Sequence, residues 1–324
     1  MRRQRKIAAF TNPNAGKNTP RAGLGRVVAS ILTTPTWVYD TRTLEELEER
    51  CEGLHRSRPD VIVVIGGDGT VHQTLTRIIR EYQQSGVQMP QILVIPTGTM
   101  NTVATTLGLT RHPAVRLAEL VAAKIRENRP LDVAHLTPLK VNDEYGFLHG
   151  SGFVANLLEK YYEDREQRGP KRAIKVILGA LGNEIISKLT FRKPTHGLTR
   201  PVHAKIILPD GFEKPVAPDM SHLGIMCAAV DQVGLGCRGM PDARSKPGNF
   251  MLRSISDRLS LLGFAASIGQ LWAGLPLPKT FDAVVPHLTI EYHEPTVTQL
   301  DGDLKPPTMR DVIECGPTLT FITG

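Results

Sequence analysis

Between Val61 and Thr70 the chain reads Val-Ile-Val-Val-Ile-Gly-Gly-Asp-Gly-Thr, the segment that most restricts what this sequence can become. Every residue of its aliphatic run is β-branched, which suits a strand covered on both faces in a parallel sheet. The run stops in a turn built from Gly66, Gly67 and Gly69. Beyond Thr70, apolar side chains recur at Val71, Leu75, Ile78 and Ile79, the spacing of one helix face. Strand, glycine turn and helix together place backbone N–H groups where phosphate oxygens can approach. Asp68 does not suit a passive anion cradle, because its charge repels phosphate. It suits a site that manages a metal ion or removes a proton, so phosphate binding becomes phosphate transfer.

The flanking sequence repeats the alternation. Strands are expected at 6–10, 36–40 and 91–95, and helices at about 22–32, 44–54 and 113–127. This order predicts an α/β domain over 1–130, a doubly wound parallel sheet. Three polar loops then fall at carboxyl ends of strands, where such sheets bind ligands. After Arg129-Pro130 come short strand-like runs at 131–136, 145–150, 202–208, 223–230, 283–292 and 312–322. Turn signals such as Pro209-Asp210-Gly211 separate them. They predict a predominantly β, sandwich-like second domain over 131–308, with a tail at about 309–324 that can return to the first domain. Helical insertions are expected at about 155–188 and 252–272.

Size and charge narrow the class of function. A chain of 324 residues is comfortable for two domains. Net charge is +7 and the isoelectric point near 9.3. The excess clusters at Arg2, Arg3, Arg5 and Lys6, and again from Arg168 to Arg200. Such clusters suit anionic phosphates or an anionic membrane surface. Aromatic content is 5%, with no interleaving of basic and aromatic residues, which argues against a nucleic-acid partner. Cys51, Cys227, Cys237 and Cys315 form no C-x-x-C pair, so neither a zinc site nor a disulfide framework is expected. The apolar run at 7–10 is too short for a signal-peptide core. The longer one at 259–275 is broken by Ser267, Gln270 and glycines, and is too short to span a bilayer. A cytoplasmic protein able to visit a membrane surface is the expectation.

Four polar segments carry the chemistry. After the first strand comes Asn12-Pro13-Asn14-Ala15-Gly16, whose amides can hydrogen-bond a ribose or phosphate, although Asn-Pro-Asn is also ordinary turn chemistry. Gly66-Gly67-Asp68-Gly69-Thr70 is sharper, because a carboxylate and a hydroxyl in a glycine turn after a buried strand are unusual. Pro96-Thr97-Gly98-Thr99-Met100-Asn101 would set a hydroxyl and an amide beside it, or would simply cap a helix. Far downstream, Asp301-Gly302-Asp303 holds two carboxylates across a glycine, a pattern that also makes hairpin turns.

In order and separation these segments resemble the diacylglycerol kinase catalytic-domain superfamily, which includes soluble bacterial lipid kinases and sphingosine kinases and, more distantly, NAD kinases. The likeness runs over nearly the whole chain, with Leu131-Asp132-Val133, Gly150-Ser151-Gly152-Phe153 and Gly236 to Ala243 matching second-domain segments. It implies an NAD-kinase-like first domain, ATP and Mg2+ as cofactors, and a lipid hydroxyl as acceptor. It implies ATP against Asn12, Pro13, Asn14, Ala15, Gly16, Thr41, Gly66, Gly67, Asp68, Gly69, Thr70, Val71, His72, Thr99 and Asn101. Thr43 could stand in for Thr41 by a small alignment shift. The general base it implies is Asp68 in some branches and Asp303, or its neighbour Asp301, in others. Asp68 comes from the first domain and the pair from the second, so the expected active site is the cleft between domains. An NAD-type or other small-molecule kinase is the rival enzyme, and a degenerate nucleotide-binding regulator the rival outside catalysis.

Three departures bear on that implication. Asp303 stands where the family has glutamate, one methylene longer. Asn101-Thr102-Val103-Ala104 replaces the usual Asn-Asp-Phe-Ala. Lys246-Pro247-Gly248-Asn249-Phe250 replaces the Asp-Gly-x-Leu of a structural Mg2+ site, so no structural metal is expected there. Leu259, Leu261, Leu262, Phe264, Ala265, Ile268, Leu271 and Trp272 are expected to pack on the β core or to line the lipid slot. Edge strands of the β domain could pair two chains into a homodimer.

Overall fold

The computed structural model describes residues 5–13, 23–32, 36–98, 100–162, 179, 200–210, 221–234, 236–259, 263 and 266–324. The chain divides into two compact units, Met1–Pro138 with Gly316–Gly324, and Leu139–Cys315.

In the first unit the strands β1 (Ile7–Thr11), β2 (Thr36–Asp40), β3 (Val61–Gly66), β4 (Gln91–Pro96) and β5 (Val133–Leu136) join the C-terminal β15 (Leu319–Ile322) in the order β2-β1-β3-β4-β15-β5. All neighbours run parallel except β15 and β5. Each residue of β1 and β3 is buried, as expected of parallel strands covered on both faces. Covering helices are α1 (Leu24–Ile31), α2 (Leu44–Cys51), α3 (Leu54–Ser57), α4 (Asp68–Ser85), α5 (Thr102–Thr106) and α6 (Ala114–Arg126). Val71, Leu75, Ile78 and Ile79 of α4 are all buried, each contributing roughly 1.5–3 kcal/mol. The strand order reverses at β1, with β2 on one side and β3 on the other. Doubly wound sheets bind ligands at that reversal, outside the carboxyl ends of the strands.

Composition changes at Arg129-Pro130, but the first unit runs on to Pro138. The reason is pairing. Val133–Leu136 lies antiparallel to Leu319–Ile322, and the Asp132 and Thr323 amides donate to Gly324 and Asp132 carbonyls at 3.1 and 2.8 Å.

The second unit is one connected antiparallel sheet. Its strands are β6 (Leu139–Val141), β7 (Glu144–Gly146), β8 (Leu148–Gly152), β9 (Val202–Ile207), β10 (Ser221–Ala228), β11 (Phe250–Ser256), β12 (Thr280–Val285), β13 (His287–Leu300) and β14 (Asp303–Cys315). Their order is β12-β11-β10-β8-β13-β14-β6-β7. β8 and β9 share one lane, each bridging β10 and β13 at different points along them. The described helices here are α7 (Phe153–Tyr162) and α8 (Ile268–Ala273).

Two expectations need correcting. The helix expected from Leu252 begins as strand β11, because its residues are buried between β10 and β12 and pair with both. The strand expected at 283–292 is two strands, separated at Pro286, which has no N–H to continue a ladder. The basic run at 168–199 lies outside the described residues. Arg200, at its end, pairs with Glu294 at 2.8 Å.

Arg253 and Asp311, both buried in this sheet, each have several polar partners. Arg253, 1% exposed, grips both oxygens of Asp282 at 2.8 and 2.7 Å and donates to the Gly239 carbonyl at 2.6 Å. Asp311 accepts from Asn142 at 3.0 Å and Tyr292 at 3.1 Å, and His149 Nε2 lies 2.9 Å away. Burial pushes the Asp311 pKa up, but the His149 contacts, with Tyr292 and Asn142, outweigh it and hold the carboxyl below its ordinary range. All four cysteines are free. Burial pushes the Cys51 thiol up to about 12, which makes it unreactive.

Candidate active site

Backbone contact, more than side chains, shapes the first unit's site. Thr97 N–H donates to the Gly66 carbonyl at 3.0 Å, tying the turn after β4 to the turn after β3. A Cβ built on Gly98 would stand 2.5 Å from Gly67 Cα, and one on Gly66 would collide with Thr70. Glycine is therefore needed in both turns for close approach. Gly67 is the N-cap of α4 and supplies no side-chain cap, while Asp68 opens the helix. The N-cap glycine has no side chain with which to take the first-turn amides of this 18-residue helix, and amides at the positive end of a helix bind anions. Asn101 sits at φ 49° and closes its own loop, accepting from Gly98 N–H at 3.0 Å and donating to Gly98 O at 2.8 Å.

The neighbouring strand ends complete the corner. Thr41 N–H donates to the Thr11 carbonyl at 2.9 Å, one residue before Asn12 and Pro13. Thr43 is instead the N-cap of α2, accepting from Glu46 N–H at 3.2 Å. Thr41 is thus tied to the strand that leads into the first loop, and Thr43 to its own helix. Asn14, Ala15, Gly16 and Thr99 lie outside the described residues. Val71 and His72 are fully buried and shape the turn from behind.

In the second unit, Asp301-Gly302 forms the tight turn between β13 and β14, with Leu300 opposite Asp303. The Asp301 carboxylate accepts Phe147 N–H at 2.9 Å and Leu148 N–H at 2.8 Å. Its charge holds the β7–β8 connection in place. Asp303 is partly exposed, whereas Asp301 is buried.

Residues 6–135 match the model of the diacylglycerol kinase catalytic domain. That match spans less than half of the chain. Over 146 residues it is 33% identical to a Staphylococcus carnosus protein provisionally named a lipid kinase, covering 42% of each chain. Over 136 residues it is 29% identical to the mitochondrial acylglycerol kinase of Xenopus laevis, covering 41% of this chain and 32% of that one. The chain thus matches less than half the length of either relative. Crystal structures from Bacillus anthracis str. Sterne named as diacylglycerol kinases, one provisionally, superpose with TM-scores of 0.68 and 0.69. They cover 98% of this chain and 96–97% of theirs at 18% identity, which speaks for the fold.

Within the first unit, Asp68 at the start of α4 would offer a divalent cation a hard oxygen ligand. Among the described residues no cluster of three or more His, Cys, Asp or Glu side chains stands together. That donor set fits Mg2+, which is commonly held by one or two carboxylates plus substrate phosphates. Sequence reasoning missed Gln299 and Tyr162, which hold the Asp301-Gly302 turn. Neither carries a local sequence signal.

The two-glycine contact makes a prediction. Gly98 has no positive φ, so Gly98→Ala introduces steric conflict alone, chiefly with Gly67 Cα at 2.5 Å and more mildly with Asn101 Oδ1 at 3.0 Å. Overpacking of this kind costs about 1–3 kcal/mol, and MgATP affinity should fall about tenfold by calorimetry. Unchanged affinity would show that the two turns do not jointly shape the nucleotide site.

Proposed function

We propose that this chain is an ATP- and Mg2+-dependent kinase of diacylglycerol or a related lipid, acting at an anionic membrane surface. The observation that carries the reading is the backbone contact of Gly67 with Gly98 at the head of α4, with Asp68 as that helix's first residue. Phosphoryl transfer needs positioning and charge neutralisation more than covalent help. In this reading the amides of the α4 first turn hold the nucleotide phosphates. Asp68, the first residue of that helix, holds the cation. When bound, Mg2+ offsets charge gathering between the β- and γ-phosphates. Asp303 takes the proton of the acceptor hydroxyl as its oxygen bonds the γ-phosphorus. The bond to the β–γ bridging oxygen breaks, and ADP leaves. Asp301 is assigned no proton, because two backbone amides already occupy its carboxylate.

No described helix is long and apolar enough to cross a membrane. The basic residues from Arg168 to Arg200 support surface docking, at about 1 kcal/mol for each one near the lipid. The test is incubation with γ-labelled ATP, Mg2+ and diacylglycerol, sphingoid base or NAD, the lipids being presented in anionic vesicles. Label on lipid, falling steeply as salt rises, is the expected result. Label on NAD alone would make it a small-molecule kinase, and bound ATP without labelled product a regulator.

A further inference from the structure

We propose that Tyr162 is a positioning residue for Asp303, acting through the carbonyl of Gly302. The inference rests on the acceptor role given to Asp303 above.

Asp301 and Gly302 have φ of 51° and 87°, the positive pair of a type I′ hairpin. A two-residue turn joining long strands is ordinarily left to water. This one is held from three directions. The Asp301 carboxylate takes the Phe147 and Leu148 amides. Gln299 Oε1 accepts Gly302 N–H at 2.8 Å, while its Nε2 donates to the Leu148 carbonyl at 3.2 Å. From outside the sheet, the Tyr162 hydroxyl donates to the Gly302 carbonyl at 3.0 Å.

The first two holds fix the turn to the β7–β8 connection. The third does something different. Tyr162 ends α7 and is 39% exposed, so water competes for its bond and stability gains little from it. The Gly302 carbonyl, however, lies in the same planar peptide as the Asp303 N–H. Holding that oxygen sets the direction in which Asp303 leaves the turn. Tyr161 stands edge-on to the Tyr162 ring, with centroids 5.2 Å apart at 71°, and limits its swing. The demand on direction is strict because aspartate has one fewer side-chain torsion than glutamate with which to correct a misaimed backbone.

Tyr162→Phe deletes the hydroxyl and keeps the ring. With diacylglycerol in mixed micelles and MgATP, kcat should fall about five- to tenfold, the worth of one hydrogen bond in the transition state. KM for ATP should not change, and the thermal midpoint should stay within about 2 °C. In an Asp303→Glu background the same change should cost about twofold or less, since the longer side chain absorbs the misdirection. Hydrogen exchange across 300–304 should quicken in Tyr162→Phe whichever acceptor is used. A kcat within twofold of the parent, equal losses in both backgrounds, or unchanged exchange would each overturn the positioning role. Near-parent turnover in Asp303→Asn would instead overturn the acceptor role beneath it.

Discussion

Asp68→Asn should lower phosphoryl transfer about a thousandfold, the scale seen when one charge-stabilising or proton-handling group is removed. Nucleotide affinity should stay within severalfold of the parent. The substitution is nearly isosteric and leaves the α4 amides and the Gly66–Thr70 turn as they are, so what is lost is the carboxylate charge. The helix N-terminus favours a carboxylate over an amide by about 0.3–1 kcal/mol, so the folded state should weaken only slightly. Calorimetry with MgATP beside a single-turnover assay separates the two effects. Near-normal turnover in this variant would remove Asp68 from the reaction.

The second large effect concerns the β unit. Arg253→Ala takes the guanidinium out of a bidentate pair with Asp282 and out of its bond to the Gly239 carbonyl. Breaking a buried pair from one side commonly costs 3–5 kcal/mol. Asp282 is 31% exposed and can rehydrate, so the lower end, about 3 kcal/mol, is expected. The lost aliphatic stem adds a packing penalty, because Arg253 is among the largest fully buried side chains. Chemical denaturation should register the loss in the unit that contains β11. A change below about 1 kcal/mol would mean that the pair does not hold the β10–β11–β12 region together.

How far the fold was legible follows from how local each signal is. Val61–Ile65 could be read because a β-branched run has one economical fate, a strand covered on both faces, and the glycines after it mark the turn. Leu252 onward misled because an apolar stretch does not distinguish a helix from a strand buried on both sides. Pairing with β10 and β12 decided it. Asp301 and Asp303 could be read as a turn but not told apart. The amides that claim Asp301 lie 154 and 153 residues away in the chain. Tyr162 was silent for the same reason, its partner being Gly302. The paired glycine turns were the most legible part of the candidate site, since turns after neighbouring parallel strands leave a pattern in sequence order. Asn101 was expected beside the nucleotide, and both ends of its amide meet Gly98.

The central claim, that nucleotide phosphates lodge on the amides opening α4, is tested most directly by a crystal structure with a non-hydrolysable ATP analogue and Mg2+. Phosphate oxygens should lie within hydrogen-bonding distance, about 2.7–3.2 Å, of backbone nitrogens between Gly67 and Thr70. The cation should sit on the Asp68 side of the phosphates. A triphosphate bound elsewhere on the molecule, with those amides left to solvent, would contradict the account.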